Sequence, residues 1–210
     1  MSLVGAPATY SLLLPPGWVR IPLRGRTRES LEEKVFRGIE KVPADVSREK
    51  GMAYRLHVRR RVEKLAEDAR RSGGLDLYVP VRARPGGAVL AASFVVAEAV
   101  GEGGVRPEVL LGRLAVEAGE VRGVGETAGV RREYVKEPDE GEPEADTVTR
   151  HVDYVLPVPG DEGRWLTVSF STAGDGDPVS PFTRAVTELF DAIMSTFAWS
   201  HRPSEGPFAG

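Results

Sequence analysis

Three residues have the types that hydrolytic chemistry needs, and their spacing is suggestive. His151 and Asp153 are two apart on a segment with period-2 alternation, so they share one face of a strand, and Ser169 lies on a second such segment. A hydrolase would need the three in a hydrogen-bond relay beside an oxyanion hole. Ser169 sits in mid-strand, however, and the Gly-x-Ser-x-Gly turn that exposes a nucleophile is missing around it. The three are therefore expected to be outward polar residues of strands. A hydrolase with His151 as base is the least favoured of three functional readings.

The other chemical candidates also reduce to structure. Asp175-Gly176-Asp177 has the look of a calcium loop but lacks the further oxygen ligands and the closing glutamate, and it precedes a helix start. Gly101–Gly104 and Gly123–Gly129 neither open a helix after a parallel strand nor carry a phosphate-binding lysine, so hairpin turns are expected. In the run His57–Arg61, the outward positions of the helix continue as Arg60, Lys64 and Arg71. They are interleaved with Glu67 and Asp68, which form i,i+4 pairs with Arg71 and Lys64. A solvated face is the plain reading, and Arg60, Lys64 and Arg71 are the candidate partner surface if one exists there. No catalytic, cofactor-binding or metal-ligating residue is expected.

Composition narrows the classes. The 210 residues carry a net charge of −3, which offers no general attraction to nucleic acid or anionic membranes. With no cysteine, thiol catalysis, disulfides and cysteine metal sites are excluded. The three histidines are scattered, and no apolar run approaches a membrane span. The opening MSLVGAPATYSLLLPPGW lacks a basic n-region, so a cytoplasmic location is expected.

The elements that would position these residues centre on Trp165–Trp199. Leu166, Val168 and Phe170 alternate with Thr167, Ser169 and Ser171 as in a strand. Ser180-Pro181 is a helix start, and Phe182, Val186, Leu189, Phe190, Ile193 and Phe197 form one helical stripe that must lie on a sheet. Asp191 falls on the opposite side, with no acid–base partner visible in the sequence. Upstream, Tyr10–Leu14 and Trp18–Leu23 read as a hairpin around Pro15-Pro16-Gly17. Thr27 reads as the cap of a helix that Pro43 stops, and a longer helix runs from Asp45 or Ser47 to Gly73-Gly74. Leu75–Val81 and Ala88–Val100 form an antiparallel pair, the second buried on both faces, and a short helix follows Arg106-Pro107. From Ala115, with Val116, Val121 and Val124, the chain reads as about four antiparallel strands. Glu137–Asp146, with six acidic residues and two prolines, reads as a mobile hairpin tip. The expected fold is one α+β domain over residues 1–200, a mostly antiparallel sheet of about six to seven strands flanked by helices, with a disordered tail at 201–210.

This order, together with LLLPPGWVRIPL, GGLDLYVPV with LAASFVVAEA, and WLTVSFST with LFDAIMSTFAW, resembles actinobacterial proteins of the Mog1/PsbP-like fold across Leu12–Trp199. The resemblance implies an α/β/α sandwich and a non-enzymatic accessory module that binds a partner protein and is linked to a secretion locus. It implies no nucleic-acid partner, no membrane and no cofactor. The helices of Thr27–Ser72 depart from the compact family pattern. A small-ligand carrier, with a pocket between the sheet and the helices Asp45–Ser72 and Pro181–Phe197, is the alternative.

Overall fold

The computed structural model describes residues 9–37, 48–82, 89–100, 107–138, 147–161 and 163–200. The expected 201–210 tail, the stop at Pro43, the Gly101–Gly104 turn and most of the acidic segment lie outside them. Nine strands are described, β1 (Thr9–Ser11), β2 (Trp18–Pro22), β3 (Gly74–Pro80), β4 (Ala92–Val100), β5 (Glu120–Val124), β6 (Thr127–Lys136), β7 (Thr149–Pro157), β8 (Arg164–Thr172) and β9 (Ala198–Ser200). The helices are α1 (Thr27–Leu31, running on as a π-helical turn over Glu32–Phe36), α2 (Arg48–Arg71), α3 (Pro107–Ala118) and α4 (Pro181–Met194). Seven strands form one antiparallel sheet in the order β2-β3-β4-β8-β7-β6-β5, and β1 pairs with β9 in a separate ribbon. The α+β class with an antiparallel sheet is therefore as expected.

One face of the sheet is aromatic and aliphatic. Tyr78, Phe94, Phe170 and Val152 stand opposite one another across four strands. α4 covers this row. Phe190 is 1% exposed and stacks on Phe170 with ring centres 4.6 Å apart. Val186, Phe190 and Ile193 of the expected stripe do this packing, worth roughly 1.5–3 kcal/mol per buried side chain. Phe182 and Leu189 are half-buried, and Phe197, expected on the helix, lies beyond its end at Met194 and is buried from the turn before β9. Its start is built as expected. The Ser180 hydroxyl accepts the Thr183 amide, with Pro181 at the first helical position.

On the opposite face the described residues form two separate clusters. At the β2–β3 end, Ile21, Leu77 and Val79 pack under Leu31, Val35 and Phe36 of α1 and Ala66 and Ala69 of α2. At the other end, Leu111 of α3 packs on Val130 and Trp165.

Several local expectations are corrected. β1 and β2 do not form a hairpin; β1 pairs with β9, and β2 with β3. Pro15 and Pro16 contribute no amide donors to a ladder, so the chain crosses from one sheet to the other there. Thr27 does not cap α1. Arg26 holds that position, and the Thr27 hydroxyl donates instead to the Pro22 carbonyl at 2.8 Å. Val116 belongs to the last turn of α3 rather than to a strand, and it is 89% exposed.

Candidate functional site

The register brings the hydrolase candidates onto one face. Asp153 stands directly opposite Ser169, and His151 opposite Ser171. The relay is nevertheless not assembled. His151 Nε2 bonds the Thr149 hydroxyl at 2.8 Å, and its ring stacks on Tyr134 at 5.1 Å. Arg132 lies over the Tyr134 ring at 4.9 Å. Burial pushes the His151 imidazole below its ordinary value, and Lys136 adds to this against the opposing Asp153 carboxylate. The result favours a neutral imidazole, in a polar patch on the face of β7 opposite Val152. Ser169 is exposed and makes no hydrogen bond to His151 or Asp153 among the described residues.

Two polar clusters are buried on the α4 face, and neither is signalled by the sequence. In the first, Arg131 Nε and Nη2 each bond Asp191 at 2.9 Å, and the Tyr154 hydroxyl donates to the same carboxylate at 2.8 Å. Asp191 therefore has partners, against the expectation that it had none; they lie on strands distant in sequence. Arg131 also reaches Glu133 at 2.7 Å, and Glu133 is held from the other side by Arg150. Burial works to raise the Glu133 carboxyl, but the two guanidinium groups outweigh it and hold it below its ordinary value. Burial and the Asp191 charge both push the Tyr154 phenol up. Each charge is matched by an opposite one, as a structural network requires.

In the second cluster, Asp76 is 2% exposed and takes a bidentate bond from Arg20, at 2.7 and 2.8 Å. It also accepts the Tyr10 hydroxyl at 2.5 Å, and Tyr10 and Tyr78 share a bond at 3.2 Å. Burial raises the Tyr10 phenol strongly, with Tyr78 and Asp76 adding to it. This cluster ties the β1–β9 ribbon to the edge of the main sheet. Tyr10 also stacks on Phe197 at 5.7 Å.

The calcium-like loop is a helix cap. Asp175 Oδ1 accepts the Ser180 hydroxyl at 2.6 Å and the Thr183 hydroxyl at 3.3 Å, which spends it on the start of α4. Among the described residues no group of three or more histidine or acidic side chains could hold a metal ion. No helix there is long and apolar enough to cross a membrane. On α2, Arg60, Lys64 and Arg71 are all exposed, as expected of a solvated face. Arg71 bonds Glu67 at 3.1 Å and Asp68 at 3.7 Å.

Two grooves remain. One, of about 330 Å³, lies between α1 and α2 over Leu31, Phe36 and Ala66. Its rim carboxylates are already taken, Glu32 and Glu63 by Arg59 and Glu67 by Arg70. The other, of about 250 Å³, lies between the Pro15-Pro16-Gly17-Trp18 turn and the first half of α4. Its walls are Pro15, Pro16, Trp18, Leu90, Phe182 and Leu189, and Arg82 stands at the rim. Gly17 is needed here twice over. Its φ is +92°, and a Cβ would sit 2.6 Å from the Arg82 Cβ, so the glycine lets the arginine stem lie against the turn. Arg82 has no acidic partner among the described residues and is exposed. Among the described residues the groove thus combines apolar walls with a cation, Arg82, that no carboxylate neutralises. Sequence reasoning missed it because its walls come from four separate segments, and only the Pro-Pro-Gly-Trp turn stands out in the chain.

The fold is thus α+β, with an open, largely apolar groove beside α4. No protein-family model matches the sequence, and no curated protein matches it.

Proposed function

We propose that this protein is a non-enzymatic interaction module that docks a short extended segment of a partner protein in the Trp18–Leu189 groove. The observation that supports this most is the pairing of apolar walls with the uncompensated Arg82. Such a groove suits a segment presenting apolar side chains and one carboxylate. Its volume of about 250 Å³ falls below the roughly 300–1,000 Å³ usual for enclosed small-ligand sites. That favours a few side chains over a carried ligand. The Mog1/PsbP-like relationship and an accessory role at a secretion locus belong to this same reading. The antiparallel sheet with helices on both faces is compatible with that fold, a fold-level argument only, and the role at a secretion locus is carried over from the resemblance alone.

The test places a photo-crosslinking residue at Ala185, which lines the groove, and compares the full chain with its Arg82→Glu variant in native lysate. The reading expects one partner, cross-linked through a peptide with apolar and acidic residues, and loss of that product with Arg82→Glu. The Arg60→Glu/Arg71→Glu variant serves as the competing arm. If it abolishes the product while Arg82→Glu does not, the partner sits on α2 and the groove assignment is wrong.

A further inference from the structure

The main sheet has two edges, and the chain treats them differently. At β2 the backbone groups that face away from β3 are those of Trp18, Arg20 and Pro22, because Val19, Ile21 and Leu23 alternate toward β3. Most of them are occupied. The Trp18 amide donates to the Pro15 carbonyl at 3.1 Å. The Arg20 carbonyl accepts Lys34 Nζ at 2.9 Å, and the Pro22 carbonyl accepts Thr27 Oγ1 at 2.8 Å. Pro22 has no amide to offer. This edge is closed in the ways that sheet proteins use against unwanted strand pairing.

β5 is the other edge, and it is open. The β5–β6 hairpin closes on Val124 and Thr127 around a two-residue turn. That makes Val124, Arg122 and Glu120 the residues hydrogen-bonded to β6, and it leaves the amides and carbonyls of Val121 and Gly123 pointing outward. Among the described residues no side chain or backbone group occupies them. Val121 is 57% exposed, and a Cβ at Gly123 would meet nothing within 4 Å. Val116, in the turn of α3 that leads into this strand, is 89% exposed.

We infer that β5 pairs antiparallel with β5 of a second copy of this chain, about a twofold axis at Val121. The sequence Gly119-Glu120-Val121-Arg122-Gly123 is self-complementary in this register. Val121 meets its own copy as a hydrogen-bonded pair, and Glu120 stands opposite Arg122 of the second copy, twice. The two glycines face one another where the backbones close. The neighbouring twofold registers are poorer. Centred on Arg122 or on Glu120 they set two like charges directly opposite, which is destabilising, and centred on Gly123 they lose the Glu120–Arg122 pairs and run into the Gly125 turn. Charge therefore selects the register, and main-chain bonds supply the attraction, as in strand addition generally. The Glu120 and Arg122 side chains already lie together, 2.7 Å apart and each about half exposed, so the charges are in place at the edge before pairing.

Sedimentation equilibrium of the full chain tests this, read as mass relative to the 22.7 kDa chain. The wild type is expected at twice that mass. Glu120→Arg and Arg122→Glu each set like charges opposite and are expected at the single mass. Mixed in equal amounts, they restore both opposite pairs and are expected to return to the double mass. Val121→Pro removes an outward amide without touching a β6 bond, so it is expected to be folded by circular dichroism and to run at the single mass; it decides the matter if either charge variant is poorly folded. A wild type at the single mass throughout, single variants that remain double, or a mixture that stays single would each overturn the inference.

Discussion

Asp191→Ala removes the hub of the buried network between β6, β7 and α4. The carboxylate accepts Arg131 twice and Tyr154 once, at 2.8–2.9 Å. The Arg131 side chain is only 8% exposed, so removing its partner strands a buried cation. Breaking a buried pair in this way costs about 3–5 kcal/mol. Here Arg131 keeps Glu133 at 2.7 Å, and Asp191 is itself 21% exposed. Both lower the expected loss, to about 2–3 kcal/mol. With a urea slope of about 2 kcal/mol per molar, the midpoint falls by roughly 1–1.5 M at constant slope. Trp165, 3% exposed, gives the fluorescence signal. The paired change Arg131→Met with Asp191→Leu removes both charges, leaves Glu133 with Arg150, and is expected to recover more than half of the loss. A midpoint shift below about 0.25 M for Asp191→Ala, or a double variant as damaged as the sum of the singles, would refute the buried-charge reasoning.

Three further outcomes follow from the packing and the charges. Gly74→Ala places a Cβ 2.6 Å from both the Ala69 carbonyl oxygen and the Leu23 Cδ1, so it is expected to cost about 1–3 kcal/mol in a urea titration. Gly112→Ala, in α3 with nothing within 4 Å, is expected to stabilise by about 0.5–1 kcal/mol, and a loss there would contradict the stated geometry. His151 titrates below its ordinary 6.5 in the folded protein. As pH falls below 6.5 the unfolded chain therefore binds the proton first, and stability declines; above 6.5 the residue has no effect. His151→Gln should remove that part of the pH–stability curve and leave the steeper decline below about 4.5, where Glu98 and Glu133, both held low by arginines, take up protons. An unchanged slope between pH 5 and 6.5 would count against a buried neutral imidazole.

Most of what was legible in the chain is local. The strand Trp165–Thr172, the α4 stripe, the Ser180 cap and the β3–β4 pair are each written in residues a few positions apart, because pleat, helical pitch and turn chemistry repeat over short distances. The same locality explains why His151 and Asp153 could be placed on one face in advance, whereas Ser169 joined them only through the β7–β8 register.

Tertiary structure alone decided the rest. Asp191 meets Arg131 across 60 positions, and Tyr10 meets Asp76 across 66. Such pairings leave no periodic trace, so Asp191 looked partnerless from the sequence. Strand neighbours are set by which surfaces the packed helices bury, which is why β1 went to β9 rather than to β2. The groove beside Trp18 and the difference between the capped β2 edge and the open β5 edge also arise only when separate segments meet. The sequence by itself determined the elements and their inward faces, through side-chain periodicity. Folding determined which charges are paired, which apolar walls face each other, and which backbone edge is left open, because each depends on contacts between segments far apart in the chain.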